Sequence, residues 1–311
     1  MCGLAGVIHR DGTSELGREL VAMLQSMKHR GPDSTGYALY GPAEEGMVVI
    51  RFVLAEPKEA ARAFGMAERL ERNRAEVEAR LAKIGAEVAT VTSETGYAFR
   101  ATARYSGELK PLADYLEDVP GCEVLSLGTS LEIIKDLGDA ETVGEDYRLD
   151  GFVGTHGIGH VRMATESDVD LASAHPYWAY PFSDIAVVHN GQLTNYHQWR
   201  RRLERSGHRF QSLCDSEIIA VYLAQQMEDG TPLEAAMKES LDDLDGVFTY
   251  FCVTANELGV AKDEMAAKPL VLYESDELVA VGSEEIAITA LVGREVETRD
   301  PYEREVLVWE V

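Results

Sequence analysis

Long apolar runs are missing from this 311-residue sequence, which has no uninterrupted stretch of the length, about 18 residues, that a membrane-spanning helix needs. A charged segment followed by an apolar one is also missing at the N-terminus, so no secretory leader is expected. Cysteine is scarce. The four residues, Cys2, Cys122, Cys214 and Cys252, show no Cys-x-x-Cys spacing. That argues against a zinc site or a disulfide framework and for a reducing, cytoplasmic setting. Positive charge is in deficit: 29 Lys and Arg stand against 54 Asp and Glu, a net charge of −25. Such a surface repels nucleic acid and anionic lipid, and neither is expected as a partner. No Gly-x-Gly-x-x-Gly or P-loop pattern occurs, so nucleotide phosphates are not indicated, and no internal repeat stands out.

What is present falls into three regions. Residues 1–44 open with a strand-like Gly3–His9 and a helical Leu16–Met27, then a turn-rich segment from Arg30 to Gly36. Residues 45–148 carry the order β (Met47–Leu54), α (Glu56–Ile84), β (Glu87–Thr92), β (Tyr97–Tyr105), α (from Pro111), β (Glu123–Leu127). That order suggests an inserted α/β module of the ferredoxin-like βαββαβ kind. Residues 149–311 are rich in strands (Gly157–Arg162, Ile185–Val188, Val247–Val253, Leu270–Tyr273, Leu278–Val281), with helices at Tyr196–Ser206, Ser216–Gln226 and Leu233–Leu241. Their succession favours a layered α+β fold over a parallel doubly wound sheet.

Several short segments are suited to chemistry. Met1 precedes Cys2, whose small side chain permits removal of the initiator. The exposed residue then holds a thiol and a free α-amine, a nucleophile and a base of similar pKa on one residue. Arg162 ends a strand in Gly-His-Val-Arg-Met-Ala-Thr and offers a planar fork to a carboxylate, or makes an ordinary surface ion pair. The strand Ile185–Val188 runs into His189-Asn190-Gly191. Asn-Gly is commonly a turn. Its other reading is an oxyanion hole, built from the Asn190 amide and the Gly191 N–H. In Cys214-Asp215-Ser216-Glu217, Asp215 or Ser216 is a helix N-cap signal, and an aspartate there can alternatively bind an ammonium group. Arg30 either shapes the surroundings of Cys2 or braces a loop. Ser283-Glu284-Glu285-Ile286 reads as a helix start without chemistry.

Taken in order, Cys2-Gly3, the run from His29 to Gly36, the run from Gly159 to Thr165, Ala174-His175-Pro176, His189-Asn190-Gly191 and Cys214–Glu217 resemble class II glutamine amidotransferase domains. These domains are N-terminal-nucleophile hydrolases. The resemblance spans about 1–41 and 150–290. It implies a four-layer αββα sandwich, here formed by 1–44 and 149–311, and hydrolysis of the glutamine side-chain amide. It implies Cys2 as nucleophile with its α-amine as base, Asn190 and Gly191 as the oxyanion hole, and Arg30 supporting the nucleophile pocket. Arg162 would hold the glutamine α-carboxylate, Asp215 its α-ammonium, and Thr165 would line the site. His175 and His189 take structural roles.

Met163 and Glu166-Ser167 depart from the sugar-phosphate aminotransferase branch. The pattern most resembles stand-alone glutaminase subunits of multi-subunit glutamate synthases or N-methylglutamate synthases. That likeness implies a hetero-oligomer in which ammonia passes to a separate flavin-containing subunit, with no cofactor in this chain. Two other readings remain open: an amide hydrolase of the same superfamily with another substrate, and a non-catalytic sensing or docking subunit acting through the insertion.

Overall fold

The computed structural model describes residues 2–61, 65–163, 169–180, 182 and 184–311. The chain begins with β1 (Gly3–His9), α1 (Leu16–Ser26) and β2 (Ser34–Tyr40), with a single 3-10 turn at Lys28–Arg30 between the last two. The next stretch contains β3 (Met47–Val53), α2 (Pro57–Ala60), α3 (Met66–Lys83), β4 (Glu87–Ser93), β5 (Ala98–Arg104), α4 (Leu109–Glu117) and β6 (Glu123–Gly128). Then come β7 (Leu131–Leu137), α5 (Ala140–Asp146), β8 (His156–Arg162), β9 (Tyr177–Trp178), β10 (Ala186–Leu193), α6 (Tyr196–Arg205), α7 (Ser216–Glu228) and α8 (Leu233–Asp243). The chain closes with β11 (Gly246–Val253), β12 (Glu257–Lys262), β13 (Val271–Glu274), β14 (Leu278–Gly282), α9 (Glu285–Val292) and β15 (Val306–Glu310).

Among the described residues the result is a mixed α/β fold of three antiparallel sheets. Their strand orders are β13-β14-β1-β8-β2-β7, β15-β12-β11-β10-β9 and β4-β5-β3-β6. Helices α1, α5 and α9 pack on the first sheet, and α7 and α8 on the second. In α1 the apolar residues Leu16, Leu20, Met23 and Leu24 recur at helical spacing and are buried. From Ser216 to Ala224, α7 is buried on every side, as an apolar helix inside a layered protein must be. The first two sheets meet across β1, β8, β10 and β11. Strands β2 and β8 are therefore buried on both faces. A buried hydroxyl needs partners, and Tyr40 on β2 has two carbonyl acceptors in reach of its one proton across the junction, those of Asp184 (2.7 Å) and Val253 (3.1 Å).

The third sheet carries α3 and α4. Met66, Leu70, Val77 and Leu81 form the buried stripe of α3. The sheet shares one continuous core with the first sheet and is tied to β7 by charge. Glu132 accepts hydrogen bonds from Arg51 (2.7 Å) and Arg100 (2.8 Å). Burial works against the ionised Glu132, but the two guanidinium groups outweigh it and hold its pKa below the ordinary carboxylate value.

Three sequence expectations change here. A single helix across Glu56–Ile84 becomes α2 and α3. Gly65, at φ +75, interrupts helical geometry before α3, and residues 62–64 lie outside the described set. The turn-rich segment gives way to a strand at Ser34, because β2 has neighbours on both edges to supply its hydrogen bonds. Finally, β7 and α5 fall within the region assigned to 45–148, yet β7 pairs with β2 along its whole length and α5 packs on that pair. The four-stranded sheet itself uses only residues 47–128.

Candidate active site

Cys2 lies immediately before β1, and the register Gly3↔Val161 puts it beside Arg162 at the end of β8. Gly3 permits this close approach: a Cβ there would stand 2.8 Å from Val161 Cγ2 and 3.4 Å from Arg30 Cδ. Two side chains converge on the Cys2 carbonyl oxygen. Arg30 Nε donates to it at 2.9 Å, and Asn190 Nδ2, reaching across from the second sheet, at 3.3 Å. The loop behind Arg30 is pressed against Arg162, where a Cβ on Gly31 would sit 2.2 Å from the Arg162 carbonyl carbon. The Asp33 amide donates to the Arg162 carbonyl at 3.1 Å. Arg162 is buried and engaged.

Arg30 is itself buried and needs an anion. Its Nη1 pairs with Glu284 at the start of α9, which also contacts His29. The neighbouring Ser283 Oγ accepts from the Leu4 amide at 2.9 Å. The sequence reading assigns no chemistry to Ser283 and Glu284. Together they anchor the start of β1 and the arginine that contacts Cys2. No local signal marks the pair: Asp33 is the acid nearest Arg30 in sequence, while Glu284 stands 254 residues away. Burial opposes ionisation of Glu284, but hydrogen bonds from Arg30 and His29 win and lower its pKa from 4.5. A depressed carboxyl contributes stability above its unfolded pKa and loses it as pH falls through the folded value. Glu284→Gln is therefore expected to lower the thermal midpoint at pH 7, with the gap to the parent closing below pH 4.5; equal gaps at both pH values would contradict the pairing.

Asn190 and Gly191 do not form a turn. Strand β10 continues through them to Leu193, with Asn190 opposite Thr249 and Gly191 opposite Phe248. Pairing with β11 supplies the hydrogen bonds that a turn would otherwise provide. Gly191 has φ +148, and a Cβ would lie 2.2 Å from the Val247 carbonyl oxygen. Gly191→Ala combines backbone strain with a backbone clash, so a loss of about 3 kcal/mol is expected in urea unfolding.

Asp215 occupies the N-cap position of α7, but its side chain makes no cap hydrogen bond. Oδ2 instead accepts from the Leu193 amide at 2.7 Å, two residues past Gly191, which ties the start of α7 to the end of β10. Behind it lie three buried histidines. His160 and His175 stack with ring centroids 4.0 Å apart. The Ser216 hydroxyl lies 2.8 Å from His175 Nε2 and 2.7 Å from His189 Nδ1. Burial disfavours the imidazolium form, bringing His160 to about 3 and His175 well below 6.5, and it lowers His189 despite the Asp215 charge. The three rings are neutral at physiological pH, so the 3.9 Å approach of His189 Nδ1 to Asp215 Oδ1 is not an ion pair there.

Of the residues singled out from sequence, Cys2, Arg30 and Asn190 are in direct contact. Arg162 is beside Cys2 by strand register, Gly191 follows Asn190, and Asp215 is bonded to the same strand. Thr165 and Ala164 lie outside the described residues. Among the described residues no cluster of three or more His, Cys, Asp or Glu is arranged to hold a metal ion, and no helix is long and apolar enough to cross a membrane.

A family model described as a glutamine amidotransferase domain matches residues 160–290. A provisionally named glutamine amidotransferase of Methanothermobacter thermautotrophicus is 37% identical over 317 aligned residues, covering 100% of both chains. The glutamine amidotransferase-like protein GlxB of Rhizobium meliloti is 39% identical over 94% of this chain and 92% of its own. Among solved structures, the glutamine phosphoribosylpyrophosphate amidotransferase of B. subtilis superposes with a TM-score of 0.61. That match is 19% identical and covers 99% of this chain and 47% of the other, so the likeness is one of fold.

Proposed function

The chain belongs to the glutamine amidotransferases, and from that membership we propose that it is a glutaminase subunit working through an N-terminal Cys2. The observation that carries the reading is the convergence of Arg30 and Asn190 on the Cys2 carbonyl. A residue so fixed between two sheets presents its thiol and amine in one orientation.

Once Met1 is removed, the α-amine takes the thiol proton and the thiolate attacks the glutamine carboxamide carbon. The carbonyl electron pair moves to oxygen, where the Asn190 amide and the Gly191 N–H stabilise it. Collapse of this intermediate breaks the C–N bond. The ammonium of Cys2 returns its proton to the leaving nitrogen, giving ammonia and a γ-glutamyl thioester. Water, deprotonated by the same amine, then releases glutamate. Arg162 matches the α-carboxylate and Asp215 the α-ammonium, the two charges that distinguish free glutamine from a peptide amide. Arg30 keeps Cys2 in place.

The first two sheets with their helices are read as the αββα sandwich. The four-stranded sheet has the strand order of a split βαββαβ unit, and we place the insertion at about 47–128, leaving β7 and α5 with the sandwich. The ammonia acceptor is proposed to be a separate flavin-containing synthase subunit of glutamate synthase or N-methylglutamate synthase type, in a cytoplasmic hetero-oligomer.

The test is an intact mass before and after a diazoketone analogue of glutamine. Loss of Met1 and one adduct on Cys2, blocked by glutamine, is expected. Retention of Met1 in active protein would remove the proposed base and sink the mechanism.

A further inference from the structure

Ser216, a buried residue that the chemistry above does not use, lies at the centre of a polar cluster. Four atoms surround its Oγ: His175 Nε2 at 2.8 Å, His189 Nδ1 at 2.7 Å, and at 3.5 Å both Asp215 Oδ1 and Cys214 Sγ. A hydroxyl has one proton to give and two lone pairs to receive. Which way that proton points follows from the histidines.

Each ring has a second nitrogen that is buried and unpartnered, Nδ1 in His175 and Nε2 in His189. A neutral imidazole holds one N–H. If that N–H sat on the unpartnered nitrogen, a buried donor would be stranded. On the nitrogen facing Ser216 it is satisfied, and the other nitrogen is left as an unfilled acceptor, the lesser penalty. Both rings therefore donate to Oγ and fill its two lone pairs. The serine proton is left facing the Asp215 carboxylate, whose Oδ1 lies 3.5 Å away at the long limit of a hydrogen bond, and the Cys214 thiol on the other side is itself a donor.

We propose that Ser216 is a positioning residue for substrate recognition: His175 and His189 direct its hydroxyl onto Asp215 Oδ1 while the Leu193 amide holds Oδ2, fixing the carboxylate to receive the glutamine α-ammonium. The Leu193 amide, at 2.7 Å, sets the position of Oδ2, and the longer Ser216 contact biases the rotation of the carboxylate about it. This rests on the reading of Asp215 as the ammonium partner. It gives the two motif histidines a specific task, which is to orient one proton.

The test compares glutamine with 4-carbamoylbutanoate, the same molecule without the α-amine. Ser216→Ala is expected to lower kcat/KM for glutamine roughly tenfold, mainly through KM, while the analogue changes less than about twofold. Equal losses on both substrates would mean that Ser216 only packs the helix start, and would overturn the proposal. Asp215→Asn separates the two levels. If it leaves the preference for glutamine intact, the Asp215 assignment fails and the Ser216 proposal with it. If Asp215→Asn abolishes the preference and Ser216→Ala spares it, the Ser216 proposal alone fails. Should Ser216→Ala not fold, 15N NMR of histidine-labelled wild-type protein decides, with His175→Gln and His189→Gln as assignment controls. Protonation of His175 on Nε2 and His189 on Nδ1 is required, and the opposite tautomer in either ring overturns the proposal.

Discussion

Cys2→Ala is expected to abolish glutamine hydrolysis, with a fall of at least about 10³-fold in the rate of ammonia release at saturating glutamine. The fold should survive. The contacts that fix residue 2 go to its main-chain carbonyl, and those from Arg30 and Asn190 remain when the thiol is removed. The thermal midpoint is expected within about 2 °C of the parent. Loss of activity without loss of stability separates a nucleophile from a structural cysteine. The other three cysteines serve as internal comparison. Burial pushes the thiols of Cys122, Cys214 and Cys252 upward in pKa, so none is poised to form a thiolate. Hydrolysis that persists at the parental rate in Cys2→Ala would end the proposed mechanism.

Asn190→Ala is expected to reduce kcat by roughly 10²–10³-fold, with KM for glutamine little changed. The asymmetry follows from when the amide acts: charge on the carbonyl oxygen develops only after attack begins, so its stabilisation does not help ground-state binding. The Cys2 carbonyl would keep its hydrogen bond from Arg30, which limits the structural cost. A variant that instead raised KM with kcat intact would make Asn190 a binding residue and leave the oxyanion to other donors. Steady-state kinetics of the soluble variant decides between these outcomes.

How far the sequence reveals this arrangement depends on the residue. Gly3–His9 matches β1 because a short run of small and apolar residues at a fixed position leaves little choice of structure. Leu16–Met27, Tyr196–Ser206 and Leu233–Leu241 fall within two residues of α1, α6 and α8, since their apolar periodicity is local information. Strand β7 is not visible in that way. Leu-Glu-Ile-Ile-Lys-Asp-Leu places Glu132, Lys135 and Asp136 in a buried strand, where distant partners compensate them: Arg51 and Arg100 for Glu132, Ala174 for Lys135, and Tyr97 for Asp136, beside its nearer partners Leu137 and Tyr147. The same holds at the site. Cys2 and Asn190 stand in recognisable motifs, whereas Glu284 is found only once α9 is brought against Arg30. Asp215 and Ser216 are correctly placed at a helix start. What the pattern hides is that the Asp215 side chain turns away from the helix to meet Leu193.

The pairing of β2 with β7 has a consequence for how the protein tolerates change. Tyr40 and Leu131 are direct partners, and the Gly41 amide donates to the Ser130 carbonyl at 3.2 Å, so the chain leaves and re-enters the first sheet at adjacent points. In topological terms, everything between them is the loop of a β-hairpin. Its length exerts no leverage on the register of the sheet, and so little on the placement of Arg162 and Cys2, two and three strands away from β7. A shortened chain could close the gap with a tight turn. What resists excision is the surface left behind: Glu132 would lose both arginines, and the shared apolar core would open to water. A minimal form of this protein therefore needs a new outer face for β7, with Glu132 replaced, and new partners for Tyr180, Arg209 and Gln211, which bond to Asp114, Glu117 and Val124 of the excised segment.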